Sequence, residues 1–146
     1  MIKKFFALLS LTCAAAFAQM TPVGLWHTLD DETNQPKGEV RIVEKEGVLI
    51  GSVVRALKED PNAKPNCDKC ADDRKGQPII GMEIIRGLKR DGKPEENLWA
   101  GGGKILDPTN GKVYTVKIVP IDGGKRLQVR GYIGPIYRTQ FWNRVE

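Results

Sequence analysis

The chain has 146 residues, with 23 Lys and Arg against 18 Asp and Glu, so its formal net charge is +5. That length bounds the answer to one domain. The basic excess is spread along the sequence without a clustered stripe of cations and interleaved aromatics, which argues against nucleic acid as a partner and leaves room for an anionic small ligand.

The N-terminus reads as an export signal. Met1-Ile2-Lys3-Lys4 is a basic start, Phe5 to Phe17 is apolar, and Ala16-Phe17-Ala18 precedes Gln19. This is the three-part pattern of a cleaved secretory peptide. The apolar run is too short to span a bilayer, which takes ~20 residues, and no other segment approaches a transmembrane span. Cys13 is not preceded by the residues that a lipid-attachment site uses. Removing 18 of the 146 residues leaves 128 and takes away Lys3 and Lys4, so the charge falls to +3. The expected organisation is a signal peptide over 1–18 and a single domain over 19–146, in an exported protein.

Beyond the N-terminal segment the hydrophobic spacing is mostly of period two, punctuated by the chain's 16 Gly and 9 Pro. Eight strands are expected: Gly24–Leu29, Glu39–Lys45, Val48–Leu57, Ile79–Leu88, Leu98–Leu106, Lys112–Ile121, Arg126–Ile133 and Arg138–Val145. Glu46-Gly47, Asp91-Gly92, Asp107-Pro108-Thr109-Asn110-Gly111 and Asp122-Gly123-Gly124 are turn signals between them. Short turns favour antiparallel neighbours, and eight such strands close into an up-and-down barrel that leaves no sticky edge. Gly101-Gly102-Gly103 falls inside the fifth strand and marks a bend or a close-packing point. Val23-Gly24-Leu25-Trp26 opens the first strand and Arg144 lies late in the last. A Trp plug at one end of the barrel with an Arg across its indole suits this pair.

One connection is long. It runs from Lys58 to Pro78 and contains Cys67-Asp68-Lys69-Cys70 and Asp72-Asp73. Three readings of the cysteines stand together. In an exported protein an even count forms a structural disulfide. A redox-active pair would sit at a helix start after a strand, whereas this one lies in a polar, Pro-flanked loop. Zinc would need more Cys or His than are present, since His27 is the only His. Asp30-Asp31-Glu32 and Asp72-Asp73 resemble paired carboxylates, but their place in turns makes them turn formers. No catalytic set, metal site or cofactor motif is visible.

These segments together resemble the bacterial family named domain of unknown function 2147. The blocks that carry the likeness include Gly24-Leu25-Trp26 with Asp30-Asp31, Cys67-x-x-Cys70, and Gly76-x-Pro78-Ile79-Ile80-Gly81. Further along they include Trp99-x-Gly101-Gly102, Ile105-Leu106-Asp107-Pro108-x-x-Gly111-Lys112-x-Tyr114, Val129-Arg130-Gly131-Tyr132, and Arg138-Thr139-Gln140-x-Trp142-x-Arg144. The resemblance implies a lipocalin-like barrel in an exported protein, periplasmic or secreted. It implies no activity.

The last two strands supply the candidate site. Gln128, Arg130 and Tyr132 share one face of their strand, and Arg138, Gln140, Trp142 and Arg144 share one face of theirs. Either these faces meet water while aliphatic residues make the core, or they turn inward. In the second case Arg130, Tyr132, Arg138, Gln140 and Trp142 line a binding site where an Arg meets a carboxylate or phosphate group. Three functions follow. The first is a non-catalytic carrier of a small, partly apolar molecule, neutral or anionic, in the barrel. The second is an envelope structural or protein-interaction module with a filled barrel, working through the 58–78 loop. The third and weakest is an enzyme. The protein partner, if any, is not identified by the sequence.

Overall fold

The computed structural model describes residues 20–146, so the expected signal peptide over 1–18 lies outside the described residues. Nine strands follow one another: β1 (Gly24–Leu29), β2 (Pro36–Lys45), β3 (Val48–Ala56), β4 (Glu83–Asp91), β5 (Leu98–Gly101), β6 (Lys104–Asp107), β7 (Lys112–Ile121), β8 (Arg126–Ile133) and β9 (Ile136–Arg144). Around the ring each stave pairs antiparallel with the next, and β9 returns to β1. β5 and β6 share one position, each lying between β4 and β7. Nine strands thus make a closed eight-stave up-and-down barrel.

The split of the fifth stave departs from the continuous strand expected over Leu98–Leu106. Gly102 has φ 70°, and a Cβ on Gly103 would overlap Leu88. The glycines therefore make both a bend, which only a residue free of Cβ strain adopts readily, and a close approach of two staves. The fourth strand also starts later than expected, at Glu83 rather than Ile79. Ile79-Ile80-Gly81-Met82 forms a turn instead, with φ 87° at Gly81 and the Met82 N–H donating to the Ile79 carbonyl at 3.1 Å.

Three tryptophans fill the interior. Trp26, Trp99 and Trp142 are all buried, with Ile42, Leu49, Leu88, Ile118 and Leu127 packed among them. Alternation along each strand places these residues on one face. The interior is therefore a side-chain core, as expected for a barrel of this strand number.

The same buried cluster extends to the outside of the wall. Ile84 and Leu106 alternate with the inward Ile85 and Ile105, so they point away from the lumen, yet both are buried. Residues 57–82 fold over them and bring Cys67, Cys70 and Met82 into the same cluster. Cys67 and Cys70 are disulfide-bonded, with Cα atoms 5.5 Å apart. Two Arg–Asp pairs fasten the strap. Arg74 binds Asp72 and donates to the Glu83 carbonyl at 2.9 Å, while Arg86 forks onto both oxygens of Asp73 at 2.9 and 3.0 Å. Among the described residues no helix is long and apolar enough to cross a membrane.

Candidate functional site: the open seam beside strand β9

Strands β1 and β9 close the barrel over only two residue pairs, Trp26 with Arg144 and His27 with Asn143. At this end Trp26 is buried and donates from its indole Nε1 to the Pro22 carbonyl at 2.9 Å. The Arg144 guanidinium lies 4.2 Å from the centre of that indole. It donates to the carbonyls of Val23 at 2.9 Å and Gly124 at 2.6 Å, and also to that of Thr21. Burial pushes the Arg144 pKa down. Gly24, with φ 145°, has no room for a Cβ, which would overlap the Arg144 guanidinium and the Glu146 carbonyl. The Gly-x-Trp spacing is thus the backbone's accommodation of an Arg that passes directly over it.

Toward the other end the two strands part. The β8–β9 hairpin, by contrast, is paired along its whole length: Leu127 faces Trp142, Val129 faces Gln140, Gly131 faces Arg138 and Ile133 faces Ile136. Because Leu127 and Trp142 are core residues, this register puts Gln140 and Arg138 on the inward face. The intervening pairs, Arg130 with Thr139 and Tyr132 with Tyr137, lie on the outer wall. The five candidate residues are therefore divided. Trp142, Gln140 and Arg138 run along the inward side of β9 from core to rim, whereas Arg130 and Tyr132 do not join them. Arg130 donates to Thr139 Oγ1 at 2.8 Å and stacks 4.6 Å from the Tyr137 ring.

The inward three are joined by a residue from the β1–β2 turn. Trp142 Nε1 donates to Gln140 Oε1 at 3.2 Å, and Gln140 Nε2 donates to Asp31 Oδ1 at 3.2 Å. Arg138 pairs with the other Asp31 oxygen. A relay of polar groups thus leads from the buried indole to solvent, and each buried donor has an acceptor, as an interior polar group requires. Asp30 organises the turn that presents Asp31. Its carboxylate accepts from Lys58 Nζ at 2.7 Å and from the backbone N–H groups of Glu32 and Thr33, both at 3.0 Å. Lys58, above all, holds the Asp30 pKa far below the usual carboxylate range.

Where β1 and β9 part, a cleft of about 150 Å³ opens, lined by Leu29, Asp30, Asp31, Asn34, Arg126, Thr139, Gln140 and Phe141. Leu29 and Phe141 supply its apolar walls; the rest supply carboxylate, amide, hydroxyl and guanidinium groups. Of the five sequence candidates only Gln140 lines it. Asp31 was visible in the sequence as one of a run of turn carboxylates, and nothing in the local pattern pairs it with a strand more than a hundred residues away.

A second polar group sits on the face of β2 opposite Val40. Glu39, with its side chain 4% exposed, accepts from Arg55 at 2.8 and 2.9 Å and lies 3.0 Å from His27 Nε2. Arg55, followed by His27, holds the Glu39 carboxyl down at about 2. Three adjacent strands are thereby laced together at one level, with each titratable group already committed. Asp72 is likewise held at about 2 by Arg74. Among the described residues no group of three or more His, Cys, Asp or Glu side chains is placed to hold a metal ion.

Comparison with known proteins agrees with this architecture. The family model described as an uncharacterized protein conserved in bacteria (DUF2147) matches residues 24–144. Among solved structures, a protein of the human pathogen Helicobacter pylori that belongs to the lipocalin family superposes with a TM-score of 0.70 at 17% sequence identity. The match covers 88% of this chain and 85% of that one. No curated protein matches.

Proposed function

This chain belongs to the bacterial family DUF2147, and from that membership and its lipocalin-like barrel we propose that it is an exported, non-catalytic binding protein for a small molecule. The site is the seam cleft rather than the lumen. The observation that carries this reading is the cleft itself, lined by Leu29 and Phe141 beside the part of the seam where β1 and β9 are not paired. It combines two apolar walls with a few converging polar groups, the usual make-up of a ligand site. Its volume suits a group about the size of benzene, since a cavity of ~150 Å³ holds that ring. Drug-sized pockets are larger, at roughly 300–1,000 Å³. Asp30 and Asp31 already accept from Lys58, Gln140 and Arg138, but a carboxylate has acceptor sites beyond these, which favours a ligand that donates hydrogen bonds. Arg126 is paired with Asp122. An anionic head finds less support. Arg138 is held by Asp31, and Arg130 faces away from the cleft.

The packed interior supports a second reading, an envelope interaction module that works through the strap at 57–82. One experiment separates the two. Native mass spectrometry of protein purified from its own compartment is expected to show an added mass of a small molecule, lost on Phe141→Ala and retained on Arg130→Ala. A protein that carries no added mass, and whose Phe141→Ala variant matches the parent in ligand-screen titrations, would sink the cleft reading in favour of the second.

A further inference from the structure

Strands β7, β8 and β9 contain six cations, Lys112, Lys117, Arg126, Arg130, Arg138 and Arg144, and no Asp or Glu. In sequence this excess looks scattered; the hairpin register gathers it. Arg144 is taken up at the Trp26 end, Arg126 pairs with Asp122, and Arg138 pairs with Asp31. Lys112, Lys117 and Arg130 have no carboxylate partner among the described residues. The outer wall of the same strands carries Tyr132 and Tyr137, with ring centres 5.5 Å apart. Lys117 lies 5.1 Å from the Tyr132 ring and Arg130 lies 4.6 Å from that of Tyr137.

Beyond the tyrosines the β8–β9 hairpin ends in Ile133-Gly134-Pro135-Ile136, a two-residue turn with Ile133 facing Ile136. Ile133 is 51% exposed, Ile136 is 76% exposed and Tyr137 is 56% exposed. Hairpin tips are ordinarily polar, and an apolar cluster at the end of a rigid element marks an interaction surface. We propose that this hairpin docks the protein on an anionic phospholipid surface, with the Ile133–Ile136 tip entering the headgroup–acyl boundary.

The order of residue types along the hairpin is what selects this occupant. Strand residues rise about 3.3 Å each, so the tyrosines sit about 3 Å and Arg130 about 10 Å behind the tip. Interfacial anchors bury their apolar face about 5–10 Å into the boundary. The tyrosines then lie at headgroup level, where amphipathic rings concentrate, and Arg130 and Lys117 meet the lipid phosphates. A nucleic acid would engage the cations and rings but would leave the isoleucine tip without a partner. A flat apolar partner protein would leave the cations without one.

Co-sedimentation with vesicles tests this. The purified protein is expected to bind vesicles of phosphatidylglycerol and phosphatidylethanolamine at least tenfold more tightly than vesicles of phosphatidylcholine, and less tightly as salt rises. Replacing Lys117 and Arg130 together by Gln should weaken binding by roughly fivefold per cation removed. Ile133→Ser with Ile136→Ser should abolish it while leaving the emission of the three buried tryptophans unchanged. In an otherwise unaltered chain, Ile136→Trp should show a blue-shifted emission on adding anionic vesicles. The proposal is overturned if the protein does not pellet with anionic vesicles, or if the double Ser variant pellets as the parent does. It is equally overturned if vesicles are ignored while a single-stranded oligonucleotide is bound, or if the Ser substitutions instead dissolve a dimer seen without lipid.

Discussion

The guanidinium of Arg144 lies over the indole of Trp26, 4.2 Å from its centre, and the two residues face one another across the seam that closes the barrel. The ring and the cation are attracted to each other, while the guanidinium's remaining donors collect carbonyls from the segment before β1 and from the β7–β8 turn. Packing, hydrogen bonding and chain closure therefore coincide at one point.

Trp26→Ala is expected to cost on the order of 3–5 kcal/mol, the range for large aromatic truncations in cores. Gly24→Ala should also destabilise by at least ~1–3 kcal/mol, because its Cβ meets backbone as well as the Arg144 side chain and its φ is unsuited to other residues. Urea denaturation measures both. A midpoint unchanged by either substitution would show that the seam does not depend on this contact.

Acid stability should depend on Glu39. Folding lowers its carboxyl from an ordinary 4.5 to about 2, through Arg55 first and His27 after it. Between those values the unfolded chain binds the proton and the folded chain does not. The contribution is thus complete above pH 4.5 and is lost as pH falls toward 2. Glu39→Gln should flatten the pH dependence of stability in that window without abolishing it, because Asp72 is depressed to about 2 as well. An identical acid profile for parent and variant would mean that the Arg55 fork does not persist in solution.

The strap over β4 and β6 should loosen when its seat is altered. Gly111, with φ 73°, packs so closely that a Cβ would overlap the Lys69 carbonyl, which belongs to the disulfide turn. Gly111→Ala is expected to raise amide exchange in residues 57–82 more than in the barrel staves. Cys67→Ser with Cys70→Ser should cost ~1–3 kcal/mol, mostly from two buried hydroxyls, because a ring of so few residues contributes little chain entropy. Equal exchange in strap and staves of the Gly111→Ala protein would show that the strap opens only with the whole fold.

The barrel was legible in the sequence because alternation and glycine turns mark nearly every stave, and no long helix competes with them. Two features were harder to see. Ile79-Ile80-Gly81-Met82 has strand composition, but Gly81 takes a positive φ and the apolar run packs as a turn. The relation between β8 and β9 was the costlier difference. Alternation within each strand is plain, yet which face of one meets which face of the other depends on the turn. Taking Gly134-Pro135 as the whole loop pairs Ile133 with Ile136 and places Arg130 opposite Thr139. With the last strand started at Arg138, two residues late, that count is lost. The cleft was less accessible still, since it rests on a β1–β9 separation and an Asp31–Gln140 bond that no local pattern encodes.

The seam has a consequence for how the protein is made. Arg144 binds the Val23 carbonyl across 121 residues of sequence, and the Leu25 N–H donates to the Glu146 carbonyl at 2.9 Å. Until those last residues leave the ribosome, the earlier staves form at most an open sheet whose β1 edge has no partner, the condition in which chains pair with one another. Closure is therefore a non-local event, and topologies of this kind fold slowly. A copy whose seam has not closed thus exposes a strand edge that the closed barrel hides.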